Sequence, residues 1–159
     1  MTKFDVAVLG AGILGASAAW RLAEAGARVA LLEMEERPGY HTTGRSAALY
    51  ETAYGPEVIR RLTLASGPFL TDPPRGFAAA PLLTARGTLF VASRARNADV
   101  DRALAEALPG TVREISRAEA VARCPALNPD WLDRALANDD AYDMDVAAIH
   151  QGYLRGFKA

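Results

Sequence analysis

The sequence predicts an α/β fold that opens with a βαβ unit and passes into an α+β segment. Three observations carry that prediction. Residues 4–33, FDVAVLGAGILGASAAWRLAEAGARVALLE, read as a strand, a glycine turn, a helix and a second strand. Gly10, Gly12 and Gly15 form G-x-G-x-x-G directly after the first strand, the pattern of a Rossmann-like turn that carries a dinucleotide. Beyond residue 76, short strand patterns flank Arg86-Gly87, which signals antiparallel pairing in place of the parallel βαβ arrangement.

Val6, Val8 and Leu9 form a short apolar run without helical period, as expected of a strand buried on both faces. Gly10 permits the tight turn, Gly12 lets a pyrophosphate approach the backbone, and Gly15 lets the helix pack against the sheet. Helix 13–25 places Ile13, Ala16, Trp20 and Ala23 on one stripe, and Gly26 stops it. Its N-terminus offers unpaired amides and the positive end of the helix dipole, where a diphosphate is expected. Arg28 to Leu32 read as the second parallel strand, and Glu33 closes it 18 residues after Gly15. A carboxylate there accepts hydrogen bonds from adenosine ribose hydroxyls and repels a 2′-phosphate. G-x-G-x-x-G alone is a weak signal; after a strand, before a helix and with this acid, it is strong.

The 159 residues suit one domain of average size. Half are apolar, and mean hydropathy is +0.01. A net charge of −1 with scattered arginines argues against nucleic acid or an anionic membrane as partner. A single cysteine, Cys124, excludes an internal disulfide and fits a reducing cytoplasm. Lys3 before an apolar stretch has the look of a signal peptide, but Asp5 and the spaced glycines argue against one. No run of about 18 apolar residues exists to span a bilayer. A βαβ unit needs further parallel strands beside it, and few candidates follow Glu33. The chain reads as part of a larger fold.

Pro38-Gly39 marks a turn, followed by the polar cluster Thr42, Thr43, Gly44, Arg45 and Ser46. Hydroxyls, amides and a guanidinium this close make either a second anion cradle or a capped surface loop. Pro56 starts a helix whose core face is expected at Val58, Ile59, Leu62, Ala65 and Phe69, ending before Asp72. Phe77 to Thr84 and Gly87 to Ala92 read as a hairpin. Asn97 to Leu108 read as a helix, Val112 to Ile115 as a strand, and Ser116-x-x-Glu119 as a capping box for a helix through Arg123. Arg134 to Ala137 read as a further strand. Asp139, Asp140, Asp143 and Asp145 lack the glycine and distal glutamate of a calcium loop, so no metal is expected. Asp145 reads as the cap of a last helix, Val146 to Phe157. His41 reads as a solvated loop residue, and His150 has no second ligand for zinc.

At this point the residues resemble a known family. DVAVLGAGILGASAAWRLAEAGARVALLE, PGYHTTGRSAALY and DMDVAAIHQGYLRG look like the FAD-dependent D-amino-acid oxidase and dehydrogenase superfamily, and within it like bacterial D-arginine dehydrogenase-like enzymes. The likeness spans the whole chain but about the first half of such a protein. It implies an FAD domain at 1–75, part of a substrate or cap subdomain at 76–145, and a helix returning toward the FAD domain at 146–159. The fold would be incomplete relative to the family's.

The resemblance also implies roles. Gly10, Gly12, Ile13, Leu14 and Gly15 would hold the FAD pyrophosphate, and Glu33 the adenosine ribose with Met34 beside it. Thr42, Thr43, Gly44, Arg45, Ser46, Ala47, Ala48 and Leu49 would run along the diphosphate, ribityl chain and flavin ring. Tyr54 would lie over the substrate, and Thr88 would contact its side chain. Relatives that favour arginine are expected to carry an acid near Thr88 and a histidine near Leu49, so this chain suggests a neutral or apolar substrate. The implied chemistry is hydride transfer from Cα–H to flavin and hydrolysis of the resulting imine to a 2-oxo acid. The carboxylate clamp and catalytic groups are expected in a later half. The alternatives are a sarcosine or glycine oxidoreductase, a glycerol 3-phosphate oxidoreductase, a non-catalytic dinucleotide module meeting a partner chain or a second copy of itself, and a nicotinamide-binding Rossmann protein, against which the HTTGRSAA segment speaks.

Overall fold

The computed structural model describes residues 3–159. In chain order the elements are β1 (Val6–Leu9), α1 (Ile13–Glu24), β2 (Val29–Leu32), β3 (Leu49–Tyr50) and α2 (Glu57–Thr71). They continue with β4 (Leu83–Ala85), β5 (Thr88–Ala92), α3 (Asn97–Glu106), β6 (Arg113–Ile115) and α4 (Arg117–Arg123). β7 (Arg134–Asn138), β8 (Tyr142–Met144) and α5 (Val146–Lys158) complete the chain. Two compact units result: one from the chain up to Ala48, Pro68–Leu83 and Met144–Ala159, the other from Leu49–Gly67 and Thr84–Asp143. Among the described residues no helix is long and apolar enough to cross a membrane.

In the first unit β1 and β2 pair in parallel, from Val6 opposite Val29 to Leu9 opposite Leu32. Asp5 and Arg28 clamp the start of that pair, with Arg28 Nη2 2.6 Å from Asp5 Oδ1. Ala16 and Ala19 on α1 are fully buried, and their small side chains let the helix approach closely. The expected burial on both strand faces does not occur: Leu9 is 80 % and Leu32 52 % exposed. The sheet has two strands, and α1 covers one face of it. α5 lies along α1, and a β-carbon at Gly156 would fall 2.6 Å from Trp20 Nε1. Trp20 anchors an aromatic cluster with Phe69, Phe77 and Tyr153, ring centroids 5.0–6.2 Å apart. Such pairs add roughly 0.5–1.5 kcal/mol each beyond their buried area.

In the second unit β7 is the central strand of an antiparallel sheet ordered β5-β7-β6. Ala135 to Asn138 are all buried, so this strand is the spine of its core. Ile115, Ala120 and Leu132 pack against it on one side, and Val100 and Ala92 on the other. A smaller sheet has the order β3-β8-β4.

The segments around Arg86-Gly87 are not a hairpin, because β4 joins β8 while β5 joins β7. The amides of Arg86 and Gly87 both donate to Ala141 O, which turns the chain from one sheet to the next. The expected strand from Phe77 shrinks to Leu83–Ala85; Pro81, without an amide donor, precedes it. β3 and β8 lack the apolar alternation that reveals a strand. The expected core face of α2 is open over its first turns, with Val58 61 % and Leu62 59 % exposed, while Phe69 near its end joins the aromatic cluster. The helix instead turns Arg60 inward, where Nη1 donates to Gly55 O at 2.8 Å. Ser116 does cap α4 by accepting from Glu119 N. The Glu119 carboxylate does not reach back; it pairs with Arg113 and Arg123.

Candidate functional site

The glycine turn is fixed by sterics. Gly10 has φ +91°, a conformation that favours glycine, and its amide donates to Leu32 O at 2.7 Å. At Gly15 a β-carbon would lie 1.8 Å from Gly10 O, so no other residue fits without moving the turn. Ala16 N then donates to Gly12 O and α1 is under way. The amides of Gly12 and Leu14 make no hydrogen bond among the described residues. They are the free donors that a helix start presents to an anion.

The HTTGRS segment joins this turn. Thr42–Arg45 form a single 3-10 turn, and the Ile13 amide donates to Thr43 Oγ1 at 2.9 Å. A β-carbon at Gly12 would stand 3.2 Å from the same oxygen. Gly44 N bonds Gly39 O at 2.8 Å, so the loop closes on itself. Ser46 Oγ accepts from Ala48 N, and Ala48 holds φ +55°. The Arg45 guanidinium lies 5.2 Å from the Tyr40 ring centroid. An open groove of about 600 Å³ runs past Thr43, Gly44, Ser46 and Ala48 to Val146 and His150 on α5.

Glu33 stands at the end of β2 with both oxygens engaged. Oε2 accepts from Ala11 N at 2.8 Å; Oε1 accepts from Met34 N at 2.9 Å and Glu35 N at 3.1 Å. Those amides, Glu35 first and Ala11 second, hold its carboxyl below the usual range. It is therefore an anion at neutral pH and retains one of about four lone-pair positions. Met34, the next residue, is 90 % exposed, and Leu14 on α1 is 83 % exposed. His41, on the same loop, pairs with Glu35.

Leu49, Tyr54 and Thr88 belong to the second unit. Leu49 is half-buried in β3, and Tyr54 is exposed. Thr88, expected to be a free recognition group, is engaged: its hydroxyl donates to Glu51 Oε2. Glu51 is buried, and its Oε1 accepts from Asn138 Nδ2 at 2.5 Å and Ala53 N at 2.8 Å. Sequence reasoning passed over Glu51 and Asn138, because neither sits in a motif and the pair is 87 positions apart. The four aspartates near β8 have separate partners. Asp139 pairs with Arg113 and Arg123, Asp143 with Arg86, Asp140 accepts from Tyr142, and Asp145 caps α5 through Ala148 N.

Solved structures with this backbone agree in kind. An FAD-bound L-α-glycerophosphate oxidase from Mycoplasma pneumoniae matches with TM-score 0.82 at 16% identity, over 99% of this chain and 43% of its own. Glycine oxidase from Geobacillus kaustophilus gives 0.80 at 20% identity, over 99% and 45%. Iminodiacetate oxidase from Chelativorans sp. BNC1 gives 0.74 at 26% identity, over 96% and 44%. The chain thus spans less than half the length of these proteins. Residues 5–159 match the family described as DAO, FAD dependent oxidoreductase, and this chain belongs to that family.

Proposed function

We propose that this chain forms the dinucleotide-holding part of an FAD-dependent oxidoreductase that oxidises the Cα–N bond of a (D-)amino acid or related amine. One observation carries the reading: the glycine turn, the Thr43 loop and Glu33 converge within one unit on free amides at the start of α1. The residues present fit FAD. A diphosphate needs donors without side chains in the way; Gly10, Gly12 and Gly15 keep that space open, and the Gly12 and Leu14 amides are the free donors on either side of Ile13, whose own amide is taken by Thr43 Oγ1. Glu33, with Met34 beside it, suits a ribose without a 2′-phosphate. Thr42 to Leu49 would extend the contact toward the flavin.

When bound, FAD supplies the acceptor for the hydride that leaves the substrate Cα. This chain's residues bind and orient. The substrate amine must be neutral before hydride leaves, so a site that excludes water and disfavours ammonium helps. Tyr54 and Thr88 are proposed on the substrate side. An acid does stand at Thr88 after all, in Glu51, so the case for a neutral substrate now rests on Leu49 alone. No catalytic acid or base is assigned. We further propose residues 1–75 as FAD domain and 76–145 as substrate subdomain, a cytoplasmic location on the strength of the single cysteine, and completion of the fold by further chain or a partner copy.

The test is an absorbance spectrum of the purified chain followed by titration with FAD and with NAD. Uptake of FAD supports the reading; uptake of NAD with none of FAD overturns it. The likeness to a glycerophosphate oxidase at TM-score 0.82 keeps glycerol 3-phosphate as a second substrate reading. Turnover of D-amino acids against glycerol 3-phosphate by the complete enzyme separates the two.

A further inference from the structure

His150 lies on α5, 139 positions from the glycine turn, yet its ring nitrogen Nε2 is 2.7 Å from Ala11 O. The ring is 4 % exposed and packs against Gly39, where a β-carbon would come within 3.0 Å of Cε1. A carbonyl only accepts, so Nε2 carries the proton and donates. Ala11 is the residue between the first two glycines of the turn. Its amide is held from the other side by Glu33 Oε2 at 2.8 Å. Two side chains distant in sequence therefore fix the two peptide planes that flank Ala11.

That geometry has a chemical consequence. In a trans peptide the C=O and the following N–H point in opposite directions within one plane, and no peptide bond among the described residues is cis. Fixing the Ala11 carbonyl toward His150 fixes the Gly12 N–H away from it. The Gly12 amide makes no hydrogen bond among the described residues, and it is one of the free donors at the start of α1. We infer that His150 is a positioning residue: through the Ala11 carbonyl it aims the Gly12 amide at the diphosphate, ordering this donor before the cofactor arrives. An apolar residue would fill the same space without orienting the plane. This inference rests on the proposed diphosphate role of the turn. Its own geometry is testable without cofactor.

The experiment uses the whole chain with His150→Phe, which keeps a ring and removes the donor, and His150→Gln, which restores an amide donor. The first readout is the Gly12 amide resonance in a nitrogen–proton correlation spectrum of the ligand-free chain. The second is the FAD dissociation constant, with thermal midpoints recorded for both variants. The expected result is a displaced Gly12 resonance in the Phe variant, FAD binding weakened about tenfold, the scale of one lost hydrogen bond, and recovery of both in the Gln variant. A Gly12 resonance unmoved in a folded Phe variant overturns the inference. Equal loss of thermal midpoint in both variants with unchanged FAD affinity also overturns it, leaving His150 as packing. If the Phe variant does not fold, the Gln variant decides: a Gly12 resonance displaced and FAD binding weakened in it, despite the restored donor, overturn the inference, and unmoved values in a folded Gln variant support it. If the unaltered chain takes up neither FAD nor NAD, further chain is needed to complete the cradle, and the Gly12 resonance alone decides the positioning role; uptake of NAD with none of FAD is the failure of the diphosphate reading for FAD.

Discussion

Gly15 stands so close to Gly10 that a β-carbon on it would lie 1.8 Å from the Gly10 carbonyl oxygen. The contact is with backbone, which cannot rotate away as a side chain can. Gly15→Ala must therefore open the turn or displace α1. The expected cost is about 3 kcal/mol or more, at the upper end of overpacking effects. Gly26 is the control. It has φ +89° with nothing within 4 Å of an added β-carbon, so Gly26→Ala costs only the left-handed strain of roughly 1–2 kcal/mol. Urea midpoints of the two variants check the difference; equal losses would contradict the steric reading.

Glu33 makes the first unit sensitive to acid. Its carboxyl is held below its ordinary value of 4.5 in the folded chain by the amides of Glu35, Ala11 and Met34. A group whose folded pKa is depressed contributes stability above its unfolded pKa and loses it as pH falls through the folded one. Glu33→Gln should lower the thermal midpoint at pH 7. The gap between variant and unaltered chain should then close as pH drops below about 4.5. Melting both proteins from pH 7 to pH 3 tests this, and a gap independent of pH would refute it.

The βαβ unit was legible because its signals are local. Three glycines, an apolar run on each side and an acid at a fixed distance each constrain a few neighbouring residues, and the chain obeys them. The meeting of Thr43 with Ile13 was legible only through the family resemblance, since 30 positions of sequence separate them. What stayed hidden depended on partners far along the chain. β3 spans two residues and exists because Tyr142 and Asp143 lie opposite it. Glu51 carries no signal in the sequence, because the Asn138 and Thr88 side chains that engage it lie far along the chain. Leu9 and Val58 misled for the opposite reason: their pattern asks for burial, and nothing among the described residues provides it.

Thr43 acts as a side-chain cap supplied from another segment. Gly12 occupies the N-cap position of α1 and has no side chain to offer, so Thr43 Oγ1 takes the Ile13 amide in its place. Removing an N-terminal cap costs about 1 kcal/mol, which for a chain of this size lowers the thermal midpoint by roughly 2–4 °C. Thr43→Val keeps the shape and loses the acceptor, so it should show that drop. Thr43→Ser keeps the hydroxyl and should lie within about 1 °C of the unaltered chain. If the two variants melt together, the hydroxyl contributes packing and no cap.

The Glu51–Asn138 pair should be worth more than any surface ion pair in the molecule. Both side chains are buried, at 7 % and 1 % exposure, and Asn138 Nδ2 also reaches Thr52 Oγ1 at 3.1 Å. Taking away Asn138 leaves a buried carboxylate oxygen short of a donor, which costs about 1–3 kcal/mol in addition to the lost packing. A double-mutant cycle of Glu51→Ala and Asn138→Ala should give a coupling of roughly 1–3 kcal/mol. The exposed pair Arg21–Glu24, with side chains 71 % and 45 % exposed, should give less than about 0.5 kcal/mol in the same cycle. Urea denaturation of the unaltered chain and the six variants measures both. A coupling at Glu51–Asn138 as small as that at Arg21–Glu24 would mean that water reaches the Glu51 carboxylate and supplies the missing donor.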